Sequence, residues 1–186
     1  MGFHTFDPAR ADRLEDATRF RFCSREELLE PLPRGETATI LDVGSGTGFY
    51  TDEIAPFVGR VVALDVQREM HDLYREKGEG IPDSVAPVTA DAEALPFTSA
   101  TVDGAFSTMT FHESTTPESL AELHDVLAEG GPFVVVDWSR EGNGESGPPV
   151  EERFSAAKAE ELLADAGFTV ASAVERSETF RVVAHA

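Results

Sequence analysis

Residues 40–50 read Ile40-Leu41-Asp42-Val43-Gly44-Ser45-Gly46-Thr47-Gly48-Phe49-Tyr50: an apolar run, three glycines at alternate positions, then a helical pattern. Glycines let the backbone approach a ligand closely and tolerate positive φ in a turn. The pattern predicts a strand that ends in a tight, ligand-facing turn and feeds a helix. The ligand itself is narrowed by what surrounds the glycines. Nicotinamide and flavin loops want a small residue where this chain has Phe49, and no lysine stands where a nucleoside triphosphate loop needs one. Asp42, two residues before the first glycine, would repel a pyrophosphate but suits a cationic ligand.

From Val61 onward, short apolar runs alternate with amphipathic stretches, the pattern of βαβ units around a parallel sheet. Strands are expected at 39–43, 60–64, 86–89, 102–107, 132–137, 169–174 and 179–184. Helices are expected at 48–57, 67–76, 118–128 and 156–166. Thr116-Pro117 offers a capping hydroxyl before a proline at the first helical position, and Gly130-Gly131 and Gly167 stop their helices. Two strands end in acids: Asp65, placed to accept hydrogen bonds from both hydroxyls of a ribose, and Asp91, which precedes the apolar turn Leu95-Pro96-Phe97.

Charge excludes some partners. Fifteen Lys+Arg against 35 Asp+Glu leave a net charge of −20, and only Lys77 and Lys158 are lysines. Such a chain repels nucleic acid and anionic membranes in dilute buffer and repels itself. Molar salt, with a Debye length of about 3 Å, removes that repulsion, so the composition points to a salt-loading cytoplasm. A single cysteine, Cys23, excludes an intramolecular disulfide or a multi-cysteine metal site, so no metal is expected. No apolar run nears the roughly 18 residues of a membrane span, and the start lacks a secretory leader; the expected location is cytoplasmic.

Residues 1–34 stand apart. They carry six arginines against seven acids and include the capping box Ser24-Arg25-Glu26-Glu27, with an earlier helix near 9–16. They are expected to form a helical lid over a domain at 35–186. Residues 138–150 form a Gly/Pro/Ser/Glu-rich loop without apolar periodicity.

In order and spacing these motifs resemble the class I S-adenosylmethionine-dependent methyltransferases over nearly all of 39–184. Phe6-Asp7-Pro8-Ala9-Arg10-Ala11 and Phe106-Ser107-Thr108-Met109-Thr110-Phe111-His112-Glu113 are similar to a compact archaeal, methyltransferase type 11-like subgroup. The resemblance implies a Rossmann-like, doubly wound α/β fold. Its seven-stranded sheet would be mostly parallel, with one antiparallel strand and helices on both faces. It implies S-adenosylmethionine as cofactor, with S-adenosylhomocysteine as product. Gly44, Ser45, Gly46 and Gly48 would approach the methionine portion and Asp42 its amino group. Asp65 would hold the ribose, Val66 pack on adenine, Asp91 bond the adenine amino group, and the backbone of Ala92 a ring nitrogen. Ser107 and Thr108 would lie beside the sulfonium.

Past the fourth strand, at the open end of such a sheet, stand Thr110, His112 and Glu113. His112 titrates near neutrality and could take a proton from a hydroxyl or amine. It could equally cap or pack the loop. His124 reads as a surface residue, and His4 could reach the site only from a folded-over N-terminal segment. The cofactor's carboxylate needs a cation, for which Arg10, Arg13, Arg19 or Arg21 are available, Arg19 and Arg21 foremost between Phe20 and Phe22. No Asn-Pro-Pro-Tyr sequence follows the fourth strand, which argues against methylation of base or glutamine amino groups. The missing cysteine cluster argues against arsenic. The expected acceptor is a small molecule, without nucleic acid or membrane; oligomeric state is open. Two alternatives stand beside this enzyme. One is a non-catalytic module that binds the cofactor or its product, favoured if Phe3, Phe6, Phe20 and Phe22 seal the sheet end. The other is a protein or RNA methyltransferase working with a partner.

Overall fold

The computed structural model describes residues 6–78 and 80–186. Phe3 and His4 therefore lie outside the described residues. The strands are β1 Gly35–Val43, β2 Val58–Asp65, β3 Val85–Thr89, β4 Gly104–Thr108, β5 Pro132–Trp138, β6 Thr169–Glu175 and β7 Thr179–His185. They form one sheet in the order β3-β2-β1-β4-β5-β7-β6, in which β7 runs antiparallel to both neighbours and every other pairing is parallel. The helices are α1 Arg25–Leu29, α2 Phe49–Ile54, α3 Arg68–Glu76, α4 Phe111–Ser114, α5 Pro117–Val126 and α6 Ala156–Asp165.

Alternation along the strands builds a core on each side of the sheet. Ile40, Val61, Ala63, Phe106, Val134 and Val136 face one way, and pack with Leu28 of α1, Ile54 of α2 and Tyr74 of α3. Leu41, Val43, Val62, Leu64, Phe133 and Val135 face the other, and pack with Leu120 of α5 and Leu163 of α6. Each such side chain, fully buried, contributes roughly 1.5–3 kcal/mol. The strand order reverses between β1 and β4, and the crevice at their carboxyl ends is where open α/β sheets take their ligands.

The amino-terminal segment divides in two. Ser24 and Glu27 close the capping box of α1, and Cys23, Leu28, Leu29 and Leu32 are buried in the same core as β1 and β2. Before them, two 3-10 turns, Pro8–Glu15 and Ala17–Arg21, are capped by Asp7 and Asp16. These turns lie over the crevice. Glu15 accepts from the Thr47 hydroxyl and meets Lys77 at 3.1 Å, the Tyr50 hydroxyl donates to the Arg19 and Cys23 carbonyls, and Gln67 donates to the Phe6 carbonyl.

Two of the strand starts that differ from expectation have a visible cause. The fourth strand begins at Gly104, because Val102 pairs only as an isolated bridge to Leu127. The first begins at Gly35, where an irregularity before Thr39 lets polar residues join β2 early.

Candidate active site

The glycine turn takes its shape from close packing. Gly44 and Ser45 donate to the Leu64 carbonyl at 2.9 and 2.8 Å. Gly44 has φ 78°, and a Cβ there would fall 2.3 Å from Thr110 Cγ2, so a side chain would break the contact between this turn and the loop after β4. Asp65, 8% exposed, accepts from the amides of Gly46 and Gln67, both at 2.8 Å. Burial raises its pKa, and those two hydrogen bonds oppose the rise. Its carboxylate thus ties the turn to the end of β2, with further lone pairs left for a ligand.

Above these strand ends lies a cavity of about 590 Å³. Gly44, Ser45, Gly46, Asp65, Val66, Asp91, Ala92, Thr108, His112 and Arg19 line it, so most of the expected site residues come together. The Ser45 hydroxyl is buried without a partner among the described residues. Val66 is 53% exposed at the cavity wall, and the Asp91 carboxylate accepts from the Glu93 amide.

Four expected residues lie elsewhere. Asp42 and Ser107 do not reach the cavity, which is lined instead by Val43 and Thr108, one residue further along each strand. Asp42 is buried beneath the turn, accepts from the Thr51 hydroxyl at 2.5 Å, and is pushed up to about 7 by burial and the nearby Asp65. Ser107 faces a separate void of about 20 Å³, the size of one water. Gly48, φ 82°, makes room for a neighbour instead of a ligand: a Cβ would sit 2.2 Å from the Tyr74 ring. Arg21 is exposed, its guanidinium 5.6 Å from the Phe22 ring centroid. Arg19 does face the cavity. Its Nη1 donates to the Leu14 carbonyl at 2.6 Å, and its guanidinium lies 4.9 and 5.0 Å from the Tyr50 and Phe49 ring centroids.

The opposite wall holds a pair that the sequence reading missed in part. The one-turn helix α4 buries Phe111 among Phe133, Phe154 and Phe180 and turns His112 and Glu113 to the cavity. Asp137, fully buried near the end of β5, accepts from the His112 amide at 2.7 Å and lies 2.9–3.0 Å from His112 Nδ1. A neutral ring protonated at Nδ1 keeps its lone pair on Nε2, which is 3.7 Å from Glu113. Burial alone would lower the pKa of His112; the charge and hydrogen bond of Asp137, with Glu113, outweigh it and raise the pKa. Glu113 is pushed up to about 7, chiefly by burial. The missed signal was an acid closing the apolar run Phe133–Val136, at the same sheet end as Asp65 and Asp91.

Trp138 and the loop residues Ser146, Gly147 and Pro148 complete the wall. The buried guanidinium of Arg153 fastens this loop by donating to the carbonyls of Ser139, Ser146 and Pro148. Among the described residues the aromatic side chains do not seal the crevice. Phe6 and Phe22 line it, while Phe20 stacks against Phe49, 39% exposed.

A crevice at the switch point, beneath a glycine turn and beside three strand-end acids, defines a nucleoside-binding α/β protein. The methyltransferase domain model of protein families matches residues 40–131. The solved S-adenosylmethionine-dependent methyltransferase of Aquifex aeolicus is 33% identical, with a TM-score of 0.85 over 97% of this chain and 99% of that one. The biotin biosynthesis bifunctional protein BioHC of Cellvibrio japonicus is 38% identical over 56% of this chain and 21% of its own length. The ubiquinone/menaquinone biosynthesis C-methyltransferase UbiE of an Enterobacter strain is 35% identical over 58% of this chain and 44% of its own. The chain thus spans less than half the length of these curated relatives. It belongs to the class I S-adenosylmethionine-dependent methyltransferases, and S-adenosylmethionine is its cofactor. The cavity fits that group: bare glycine backbone, an unpartnered Ser45 hydroxyl, a strand-end carboxylate and a facing guanidinium match its amino-acid and ribose portions.

Proposed function

We propose that this protein methylates a hydroxyl or an acidic carbon of a small molecule, with His112 as general base oriented by Asp137. The observation that carries the reading is the His112–Asp137 pair on the wall of a cavity large enough for more than one ligand. Methylation of a ready nucleophile needs only alignment; a buried acid–histidine pair facing the ligand space is of use when a proton must leave. The relatives named for biotin and quinone biosynthesis support a small acceptor. The open crevice favours an enzyme over a binding module.

In this reading Asp65 bonds the ribose, Val66 covers the adenine, and Asp91 with the Ala92 amide reads its edge. Gly44, Ser45 and Gly46 admit the methionine portion, and Arg19 meets its carboxylate. S-adenosylmethionine supplies a methyl group on a sulfonium, which a nucleophile takes as the carbon–sulfur pair returns to sulfur. His112 Nε2 receives the acceptor's proton, Asp137 balances the imidazolium, and Glu113 leads the proton toward solvent. Residues 6–22 act as a lid over the crevice, and the acidic surface suits a salt-rich cytoplasm. The test is incubation of the protein with methyl-labelled cofactor and fractionated small-molecule extract, followed by mass spectrometry. Label should enter one small molecule with wild type and not with His112→Ala. Label appearing only in protein or RNA would overturn the reading.

A further inference from the structure

Positive charge is scarce in this chain, yet it gathers at one place. Arg10, Arg13 and Arg19 all line the cavity, and none has a carboxylate of the described residues within 4.0 Å. Arg21, Arg34, Arg60 and Arg140 also have no ion pair among the described residues, but none of them lines the cavity. Asp16, the acid beside the cavity arginines, is turned to the Thr18 amide. Arg19 is fixed by the Leu14 carbonyl and the Phe49 and Tyr50 rings, next to the glycine turn. Arg10 and Arg13 belong to a different element, the exposed turn Pro8–Glu15. Residues three apart on a 3-10 turn eclipse, so these two guanidiniums share a face. Two like charges held on one face of the crevice repel each other until an anion joins them.

One carboxylate comes with the cofactor, and in the reading above Arg19 meets it. Arg10 and Arg13 are left over for a second anion. A negatively charged ligand approaching a molecule of net charge −20 needs such a local reversal of the field to enter. Elsewhere the cavity wall is apolar, with Phe22 and Trp138 in edge-on contact, ring centroids 4.8 Å apart, and Pro148. One cavity thus offers an acceptor exposed cations, an apolar surface and the His112 ring.

We propose that the methyl acceptor is an organic anion: a compact apolar body carrying a carboxylate or phosphate that Arg13 and Arg10 hold, with its hydroxyl or acidic carbon directed at His112. The proposal rests on the methyltransferase reading above. The anionic group is an anchor and not the nucleophile, because a carboxylate already lacks the proton that His112 would remove.

Binding to the S-adenosylhomocysteine-loaded protein tests it, by calorimetry at one fixed salt concentration. The probes are 4-hydroxybenzoate against its neutral counterpart 4-hydroxybenzamide, and phenyl phosphate against phenol. An anion should bind at least about tenfold more tightly than its neutral counterpart, as expected for charge-assisted hydrogen bonds. Whichever anion has the larger preference identifies carboxylate or phosphate as the anchor. In the double variant Arg10→Gln/Arg13→Gln the preference should fall to about threefold or less, with the affinity for S-adenosylhomocysteine unchanged. No preference in wild type, including the case where no probe binds, or a preference retained in the double variant, overturns the proposal. If S-adenosylhomocysteine binds tightly in either event, the methyltransferase reading stands and only the anionic acceptor is lost. If it does not bind wild type at all, that reading fails first and this one falls with it.

Discussion

Asp137 gives the site its pH behaviour. Because it raises the pKa of His112 above the ordinary 6.5, the imidazole is a free base only above that raised value. Methyl transfer should therefore climb with an acid limb above pH 6.5. The linked stability has the opposite sense. A raised histidine contributes stability that is complete below about pH 6.5 and is lost as pH rises through the folded pKa. In Asp137→Asn the histidine should titrate at a lower pH, readable by NMR of its imidazole without any acceptor, and transfer should fall on the order of 100-fold. A His112 titration unmoved by the substitution would separate the two residues functionally. Asp65 has a different test. Loss of a charged acceptor from a ribose costs about 2 kcal/mol, so Asp65→Ala should weaken S-adenosylmethionine roughly 30-fold by calorimetry. The same substitution frees the Gly46 and Gln67 amides, so the melting temperature should drop even without ligand. Unchanged affinity would take Asp65 out of the site.

At the scale of elements, what the sequence made legible followed periodicity and termini. The seven strands, α3, α5 and α6 stand within a few residues of expectation because apolar alternation, Thr116-Pro117 and the terminating glycines act locally. The site was legible where it lies at strand ends after glycine or acid. It was not legible one residue short of those ends, where Asp42 turns to Thr51 of α2 and Ser107 to the small void beside Phe111 of α4. A single turn such as α4 has no period to detect, so the pairing of His112 with Asp137, 25 residues away, needed the sheet. The turns at 8–21 pose the remaining question at this scale. They are latched by Glu15 to Thr47 and Lys77, and by the Tyr50 hydroxyl to the Arg19 carbonyl. A few hydrogen bonds over an exposed segment leave it among the parts that open most easily. Trypsin should cut at Arg10 or Arg13 first, and saturating S-adenosylhomocysteine should slow that cut several-fold. Equal rates with and without ligand would mean that the segment does not close on the cofactor.

Across the whole molecule the dominant feature is charge of one sign. The exposed pairs Arg68–Asp72, Arg75–Asp72 and Lys158–Glu161 contribute between about 0 and 1 kcal/mol each. Salt weakens those few attractions, but it weakens the repulsion among the far more numerous acids as well. The Debye length falls from about 10 Å at 0.1 M to about 3 Å at 1 M, which leaves neighbouring exposed carboxylates nearly independent. The net effect of potassium chloride should be stabilising, with the melting temperature rising on the order of 5 °C or more between 0.1 and 2 M, as a gain of about 2 kcal/mol or more gives in a chain of this size. General salting-out could mimic this, since excluded salts strengthen apolar burial in any protein. A charge variant separates the two causes. Glu36, Glu118, Glu151 and Glu160 are exposed, and none makes an ion pair or side-chain hydrogen bond among the described residues. Replacing all four with glutamine should raise the melting temperature at 0.1 M and flatten its dependence on salt, while values at 2 M converge with wild type. Equal melting temperatures at 0.1 M would show that carboxylate repulsion is not what salt relieves.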